Sequence, residues 1–146
     1  MIRPITSDDF NEYLTMATEF YSSDAVLHPI PKNHIEKTFK ELTTSNIYTE
    51  GYLFEYKKEA AGYALLAKTY SQEAGGLVIW IEELYVRPEY QNKGLGSTFF
   101  DFLHNKVKDS AARLRLEVED DNKKAISLYK RLGYHPLKYS QMVKEL

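Results

Sequence analysis

The sequence predicts an α+β fold in which helices cover both faces of a mixed, mostly antiparallel central sheet. Three observations predict it. Two helix-like segments come early, three strand-like segments follow in one run, and a helix, a strand and another helix alternate afterwards. A chain of 146 residues suits a single domain, which we expect to span residues 1–146.

The first third of the chain predicts one short strand and two helices. The strand is expected over 2–6, and the polar start at 7–9 leads into a helix that runs to about Tyr21. Prolines and polar residues predict a loop over 21–31. A second helix follows, because apolar residues recur there at helical spacing: Ile35, Phe39 and Leu42.

The middle of the chain predicts an antiparallel meander. The segments 51–56, 60–70 and 77–86 are rich in Tyr, Leu, Val and Ile and are separated by turn-like residues. The stretch Leu77–Ile81 is apolar at every position, so we expect both of its faces to be covered near the centre of the sheet.

The last third predicts alternating elements. Apolar periodicity indicates a helix from Leu95 to Val107, a half-covered strand over 112–118 and a further helix that ends at Gly133. From Tyr134 to the C-terminus we expect one or two strands, interrupted near Pro136.

Composition excludes several function classes. The chain has no cysteine, which excludes a thiol nucleophile, a cysteine-ligated metal and a disulfide framework. Its net charge of −2 argues against nucleic-acid binding, and its apolar runs fall far short of the ~20 residues of a membrane helix. The four histidines show no ligand spacing, so no metal is expected. Residues 1–9 carry three charged side chains and do not resemble a signal peptide. The absence of cysteine predicts a reducing, cytoplasmic location.

Charge is distributed unevenly along the chain. Residues 1–50 carry four cationic and eight acidic side chains, whereas residues 51–146 carry fifteen and thirteen. One interpretation is ordinary surface variation. The other is a cationic ligand near the first part and an anionic ligand near the second.

The segment between the third predicted strand and the next helix suits an anionic ligand. Gly94 and Gly96 allow close approach of a ligand to free amides at the start of the helix, and Lys93 adds a cation. A dinucleotide fingerprint is excluded because Phe99 stands where a third glycine is required. A Walker-type Gly-Lys-Ser/Thr is also absent.

The Gln-x-x-Gly-x-Gly pattern at 91–96, after the strand ending at 84–88, closely resembles the acyl-CoA-binding motif of the GNAT N-acetyltransferase superfamily. A second block over 116–134 is similar to a downstream block of that family. The local sequence of the two blocks is most similar to the polyamine, diamine and thialysine acetyltransferase branch. The resemblance therefore implies the GNAT acyltransferase fold.

The resemblance also implies a cofactor site. Acetyl-CoA would lie in a V-shaped gap beside the third long strand, with its pyrophosphate on 92–97. Asn122 either caps its helix or contacts pantetheine. The cofactor-binding residues implied are Leu84, Tyr85, Val86, Gln91, Asn92, Lys93, Gly94, Leu95, Gly96, Ser97 and Asn122.

Amine acetylation needs a base and an acid. An alkyl ammonium with a pKa of about 10.4 must lose a proton before it can attack a thioester. Glu82 or Glu83 is the candidate base, and the resemblance favours Glu82. Because successive strand residues face opposite sides, both can face the cofactor only if the strand bulges. The resemblance places Tyr129 as the acid that protonates the leaving thiolate.

The acceptor pocket is expected between the first two helices, where Tyr21, Asp24 and His28 are the candidate substrate-binding residues. The predicted function is acetyl transfer from acetyl-CoA to a primary amine of a small molecule, by direct attack in a ternary complex. Three alternatives remain: a protein or peptide N-terminal acetyltransferase, a non-catalytic acyl-CoA-binding domain and a structural interaction module. Relatives often pair, so the resemblance also implies a homodimer.

Overall fold

The computed structural model describes all 146 residues, and its helices and strands follow the predicted order. None of the helices has the length and apolar composition needed to cross a membrane. The elements are β1 (Ile2–Pro4), α1 (Phe10–Tyr21), α2 (Lys32–Thr44), β2 (Thr49–Tyr56), β3 (Glu59–Ser71), β4 (Gly76–Val86), α3 (Leu95–Val107), β5 (Arg113–Leu116) and α4 (Lys123–Arg131).

The five strands form one sheet in the order β1-β2-β3-β4-β5, so every strand lies beside its neighbour in the chain. The first three pairings are antiparallel, and β4 pairs with β5 in parallel. The parallel pairing requires a crossover, which α3 supplies. The prediction of a mixed, mostly antiparallel sheet is therefore confirmed.

Helices cover both faces of the sheet. Helices α1 and α2 pack on one face, where Tyr13 and Phe39 meet Leu53 and Tyr63 of the sheet in one buried cluster. Helix α3 packs on the other face, with Phe99 fully buried and residues of α4 partly buried beside it. Burial of these aromatic and aliphatic surfaces is the main source of stability for the two layers.

The centre of β4 is covered on both sides, as its apolar run predicts. Val78 and Ile79 are consecutive and both buried, although side chains of neighbouring strand residues point to opposite faces. Trp80 is half-buried and packs against the Arg115 guanidinium, which lies 4.2 Å from its ring centroid.

The end of α4 also follows the prediction, but the strands expected after it are absent. Gly133 has a φ of +92°, and its amide and that of Tyr134 donate to the last turn of the helix, which closes it. Beyond it, 134–146 contains no strand. Pro136 lacks an amide hydrogen, and the apolar side chains beyond it are mostly exposed and do not pack on the sheet, so the prediction of one or two strands was wrong.

Candidate functional site

A wedge opens between β4 and β5. The two strands pair only over four positions, from Val78 with Arg113 to Ile81 with Leu116. Strand β4 then continues to Val86 while β5 has ended. The edge of β4 over 82–86 that faces away from β3 consequently has no strand partner, and its backbone groups are open to a ligand.

A bulge in β4 begins where the wedge opens. Leu65 of β3 pairs with Glu83 and Leu66 pairs with Ile81, so Glu82 is the extra residue. An extra residue bends a strand and changes the direction of its side chains. The bulge therefore turns the end of β4 away from β5.

Glu83 points to the side of the sheet covered by α1. Its carboxylate accepts hydrogen bonds from the hydroxyls of Tyr21 and Tyr63, the latter at 2.6 Å. Burial raises the pKa of Glu83, and the two phenol hydrogen bonds act in the opposite direction. Burial and the carboxylate also raise the pKa values of both tyrosines, so these hydroxyls stay protonated as donors.

Glu82 instead lines an open cleft of about 1000 Å³ beside the wedge. Burial raises the pKa of Glu82, and the nearby carboxylates of Glu117 and Glu83 raise it further. No hydrogen bond from the protein holds its carboxylate in the charged form. Glu82 is thus a more basic carboxylate than usual and is free to take a proton.

The acidic cleft is defined by six carboxylates, and no lysine, arginine or histidine lines it. Four of them come from the segment between β5 and α4, which sequence reasoning did not single out. The available signal was the run of acids after β5, which also looks like an ordinary solvated loop. The carboxylates are those of Asp24, Glu82, Glu117, Glu119, Asp120 and Asp121.

The predicted acceptor residues are only partly brought together. Tyr21 and Asp24 line the acidic cleft. His28 is exposed and lies outside it, so the structure does not place this residue with the other two. The loop after α1 lines the cleft over 24–27 but not at His28. Glu19 of α1 is engaged by Arg87 at 3.1 Å.

The 92–97 loop presents unused backbone donors. None of the amides from Asn92 to Ser97 donates to a protein acceptor. Asn92 and Gly94 have positive φ values of 60° and 78°, which folds the loop over the start of α3. A Cβ atom on Gly96 would meet no other atom within 4 Å, so its missing side chain leaves open space beside these amides. Donors gathered at a helix start suit a phosphate-bearing ligand.

The strand residues before the loop divide between the two faces. Leu84 lines the acidic cleft, whereas the Tyr85 hydroxyl donates to Glu19 on the opposite face at 3.0 Å. The Val86 carbonyl accepts from the Gln91 side-chain amide at 3.1 Å, which ties the start of the loop to the end of β4. The Tyr85 side chain is therefore turned away from the wedge.

Tyr129 reaches the cleft from α4. Its ring packs edge-on against Phe100 with centroids 5.6 Å apart, which sets its direction. Burial raises the pKa of its hydroxyl, and no protein group hydrogen-bonds to it. Tyr129 and Glu82 line the same acidic cleft. The Tyr129 hydroxyl carries a proton at neutral pH.

Asn122 is the cap of α4. Its Oδ1 accepts from the Ala125 amide at 3.2 Å, which satisfies one free donor of the first turn. The residue also lines the acidic cleft. Of the two roles considered for it, the structure shows the cap.

Strand β4 separates from β5 beside the free amides of the 92–97 loop. This arrangement is the one expected of an acyl-CoA-binding acyltransferase. The family model described as "Acetyltransferase (GNAT) family" matches residues 11–134. The chain belongs to this family, as its two sequence blocks predicted.

Similar proteins agree with this assignment. Thialysine N-epsilon-acetyltransferase of Caenorhabditis elegans is 28% identical over 138 residues, covering 94% of this chain and 84% of that protein. The Bos taurus protein of the same name is 40% identical over 77 residues, covering 52% of this chain and 45% of its own length. The matched region thus spans less than half of the bovine relative.

One solved structure shows the same fold with a bisubstrate analogue bound. AAC(6')-Iy in complex with the bisubstrate analogue CoA-S-monomethyl-acetylneamine has a TM-score of 0.81 and 10% identity. The likeness covers 100% of this chain and 97% of that chain. It demonstrates the α+β acyltransferase fold of this protein.

Proposed function

We propose that this protein transfers the acetyl group of acetyl-CoA to a primary amine of a small, positively charged molecule. The observation that carries the proposal is the acidic cleft, which is lined by Tyr129 and six carboxylates, that of Glu82 among them, and by no cation. Negative charges gathered in one cleft attract a cation and repel anions. A molecule with two or more amino groups fits that field better than a neutral one.

The cofactor end of the site fits coenzyme A. The free amides of 92–97 supply donors for a diphosphate, and the open edge of β4 over 82–86 supplies backbone groups for pantetheine. When bound, acetyl-CoA supplies an acetyl group activated as a thioester. The bulge directs β4 so that this edge runs alongside the acidic cleft.

Glu82 is proposed as the base. The substrate arrives as an ammonium, and its nitrogen can attack only after losing a proton. The Glu82 carboxylate takes that proton directly or through water, and its raised pKa makes it a better acceptor than an ordinary glutamate. Glu83 is already occupied by two tyrosine hydroxyls on the other face, and we assign it no proton transfer.

Tyr129 is proposed as the acid. Its raised pKa keeps the phenol protonated at neutral pH, so it holds a proton for the departing sulfur. The chain has no cysteine for an acyl-enzyme, which favours direct attack in a ternary complex. The two relatives are thialysine N-epsilon-acetyltransferases, which supports a small primary amine as acceptor.

The test is a panel of acceptors with purified full-length chain. Thiol release from acetyl-CoA would be followed with monoamines, diamines, polyamines, lysine analogues and peptides with free N-termini, and products identified by mass spectrometry. We expect diamines, polyamines or lysine analogues to give the highest kcat/KM. Acetylation of peptide N-termini alone would instead identify a protein N-terminal acetyltransferase. Binding of acetyl-CoA without acetylation of any amine would refute an enzymatic role.

A further inference from the structure

A cluster of cations and aromatic rings lies beside the 92–97 loop and is not explained by the diphosphate. It comprises Tyr56 and Lys57 at the β2–β3 turn with Tyr90 and Lys93 of the segment after β4. The Tyr56 and Tyr90 ring centroids are 5.9 Å apart. The ammonium nitrogens of Lys57 and Lys93 lie 5.6 and 5.5 Å from the Tyr56 centroid. Two cations from distant parts of the chain thus converge on one ring.

The two lysines have no acidic partner. None of the ion pairs in the protein includes Lys57 or Lys93. A cation over an exposed aromatic face gains only about 0.5–1 kcal/mol, and two ammonium groups on the same patch repel each other. An anion bound between them would remove that repulsion and add charge-assisted hydrogen bonds.

The turn that carries Lys57 has a costly backbone. Lys57 and Lys58 have φ values of 51° and 71°, as in the two-residue hairpin turns that favour asparagine and glycine. Residues with a bulky side chain are uncommon at positive φ. The two-residue turn requires positive φ at both positions and thereby fixes the direction in which the Lys57 side chain leaves the hairpin.

We propose that Lys57 and Lys93 form a subsite for the 3′-phosphate of coenzyme A. The inference rests on the proposed function, since it assumes that the diphosphate lies on the 92–97 loop. Beyond the diphosphate, coenzyme A carries a ribose 3′-phosphate with a charge of about −1.5 to −2 at neutral pH. The Tyr56 ring supports both lysine side chains, and the hairpin turn brings Lys57 next to the loop. The subsite selects coenzyme A over its dephosphorylated form.

The experiment compares two ligands that differ only in this phosphate. Calorimetric titration of the full chain with coenzyme A and with 3′-dephospho-coenzyme A would be carried out at one fixed, low ionic strength. For the unaltered protein we expect coenzyme A to bind about tenfold more tightly. In Lys57→Gln this ratio should fall to about one, with affinity for the dephosphorylated ligand unchanged. In Lys93→Gln both affinities should fall, because Lys93 also neighbours the diphosphate.

Lys58→Gln is the matched control. It makes the same charge change in the same turn at the same kind of backbone, but the Lys58 ammonium does not lie over the Tyr56 ring. It should keep most of the discrimination. Equal effects of Lys57→Gln and Lys58→Gln, or an unchanged ligand ratio in Lys57→Gln, would overturn the subsite while leaving the proposed function intact. Failure of the unaltered protein to bind either ligand would overturn both.

Discussion

Glu82 and Glu83 are neighbours in one strand, yet their carboxylates occupy opposite environments. Glu83 is held by the hydroxyls of Tyr21 and Tyr63 beneath α1, and Glu82 faces the acidic cleft without a hydrogen-bond partner. The bulge separates their roles: Glu83 is paired with Leu65 of β3, while Glu82 has no partner there. One glutamate connects a helix to the sheet, and the other is available for chemistry.

Glu82→Gln should therefore lower kcat about 100-fold at neutral pH, because the general base is lost. In the unaltered protein the rate should rise with pH through the Glu82 pKa, which burial holds above its ordinary 4.5, since only the ionised form accepts a proton. This rise of kcat with pH should be missing from the pH–kcat profile of Glu82→Gln.

Glu83→Gln is the paired measurement. It should change kcat much less but reduce the free energy of unfolding by about 1 kcal/mol, because the two tyrosines donate to different carboxylate oxygens and the NH2 group that replaces one of them cannot accept. Urea denaturation measures this loss. Equal and small effects of the two substitutions on kcat would show that neither carboxylate is the base.

Tyr129→Phe should lower kcat by about 100-fold with little change in acetyl-CoA affinity, because it removes a proton donor and keeps the ring that packs on Phe100. Tyr134→Phe is a suitable control, since that hydroxyl is buried and has no hydrogen-bond partner. Steady-state kinetics and calorimetry measure both quantities. If Tyr129→Phe and Tyr134→Phe have the same kcat as the unaltered protein, Tyr129 is not the acid.

Gly96→Val should abolish coenzyme A binding while the protein stays folded. A Cβ at this position meets no protein atom within 4 Å, so the added side chain extends into the space beside the free amides. Calorimetry would measure binding, and circular dichroism would confirm the helix content. Gly96→Ala is the smaller step and should bind with intermediate affinity. Unchanged binding by Gly96→Val would show that the diphosphate lies elsewhere.

The Arg3–Asp9 ion pair predicts a pH dependence of stability. The Arg3 guanidinium contacts Asp9 at 2.9 Å and lowers the pKa of its carboxyl from 3.8 to about 2. Because this pKa is depressed in the folded state, its stabilisation is complete above pH 3.8 and is lost as the pH falls through about 2. Asp9→Asn should reduce the free energy of unfolding by about 1–2 kcal/mol at pH 7.

The same loss should shrink to a minor fraction when denaturation is repeated near pH 2, where about half of the folded-state Asp9 carboxyls are protonated. Asp8→Asn is the matched control, because Asp8 is an exposed neighbour that forms no ion pair. A difference between Asp9→Asn and the unaltered protein that is as large at pH 2 as at pH 7 would contradict the assignment of the stabilisation to this carboxylate.

Local sequence predicted much of the fold and part of the site. Apolar spacing placed the end of α1 at Tyr21, and two glycines located the loop whose amides are unused. The face that each glutamate takes depends on the register of β3 against β4, which no local pattern reveals. The acids after β5 lack periodicity, so their convergence on the acidic cleft appears only in three dimensions.

Some expectations failed or stay untested. His28 was grouped with Tyr21 by proximity in sequence, but the loop carries it outward. The strands expected beyond Gly133 are absent because the apolar residues of that segment stay exposed and find no strand edge to pair with. The single domain over 1–146, the homodimer and the cytoplasmic location stay predictions.

The agreement between strand order and chain order has a consequence for how the protein forms. From β2 to β4 each strand can add to the edge that the preceding hairpin has just made, whereas β5 must wait for α3 to bring it back to β4. We therefore expect the ligand-holding wedge to be the last part of the sheet completed during refolding. Pulse-labelling hydrogen exchange should protect the amides of β2 and β3 before those of β5, and simultaneous protection would contradict this order.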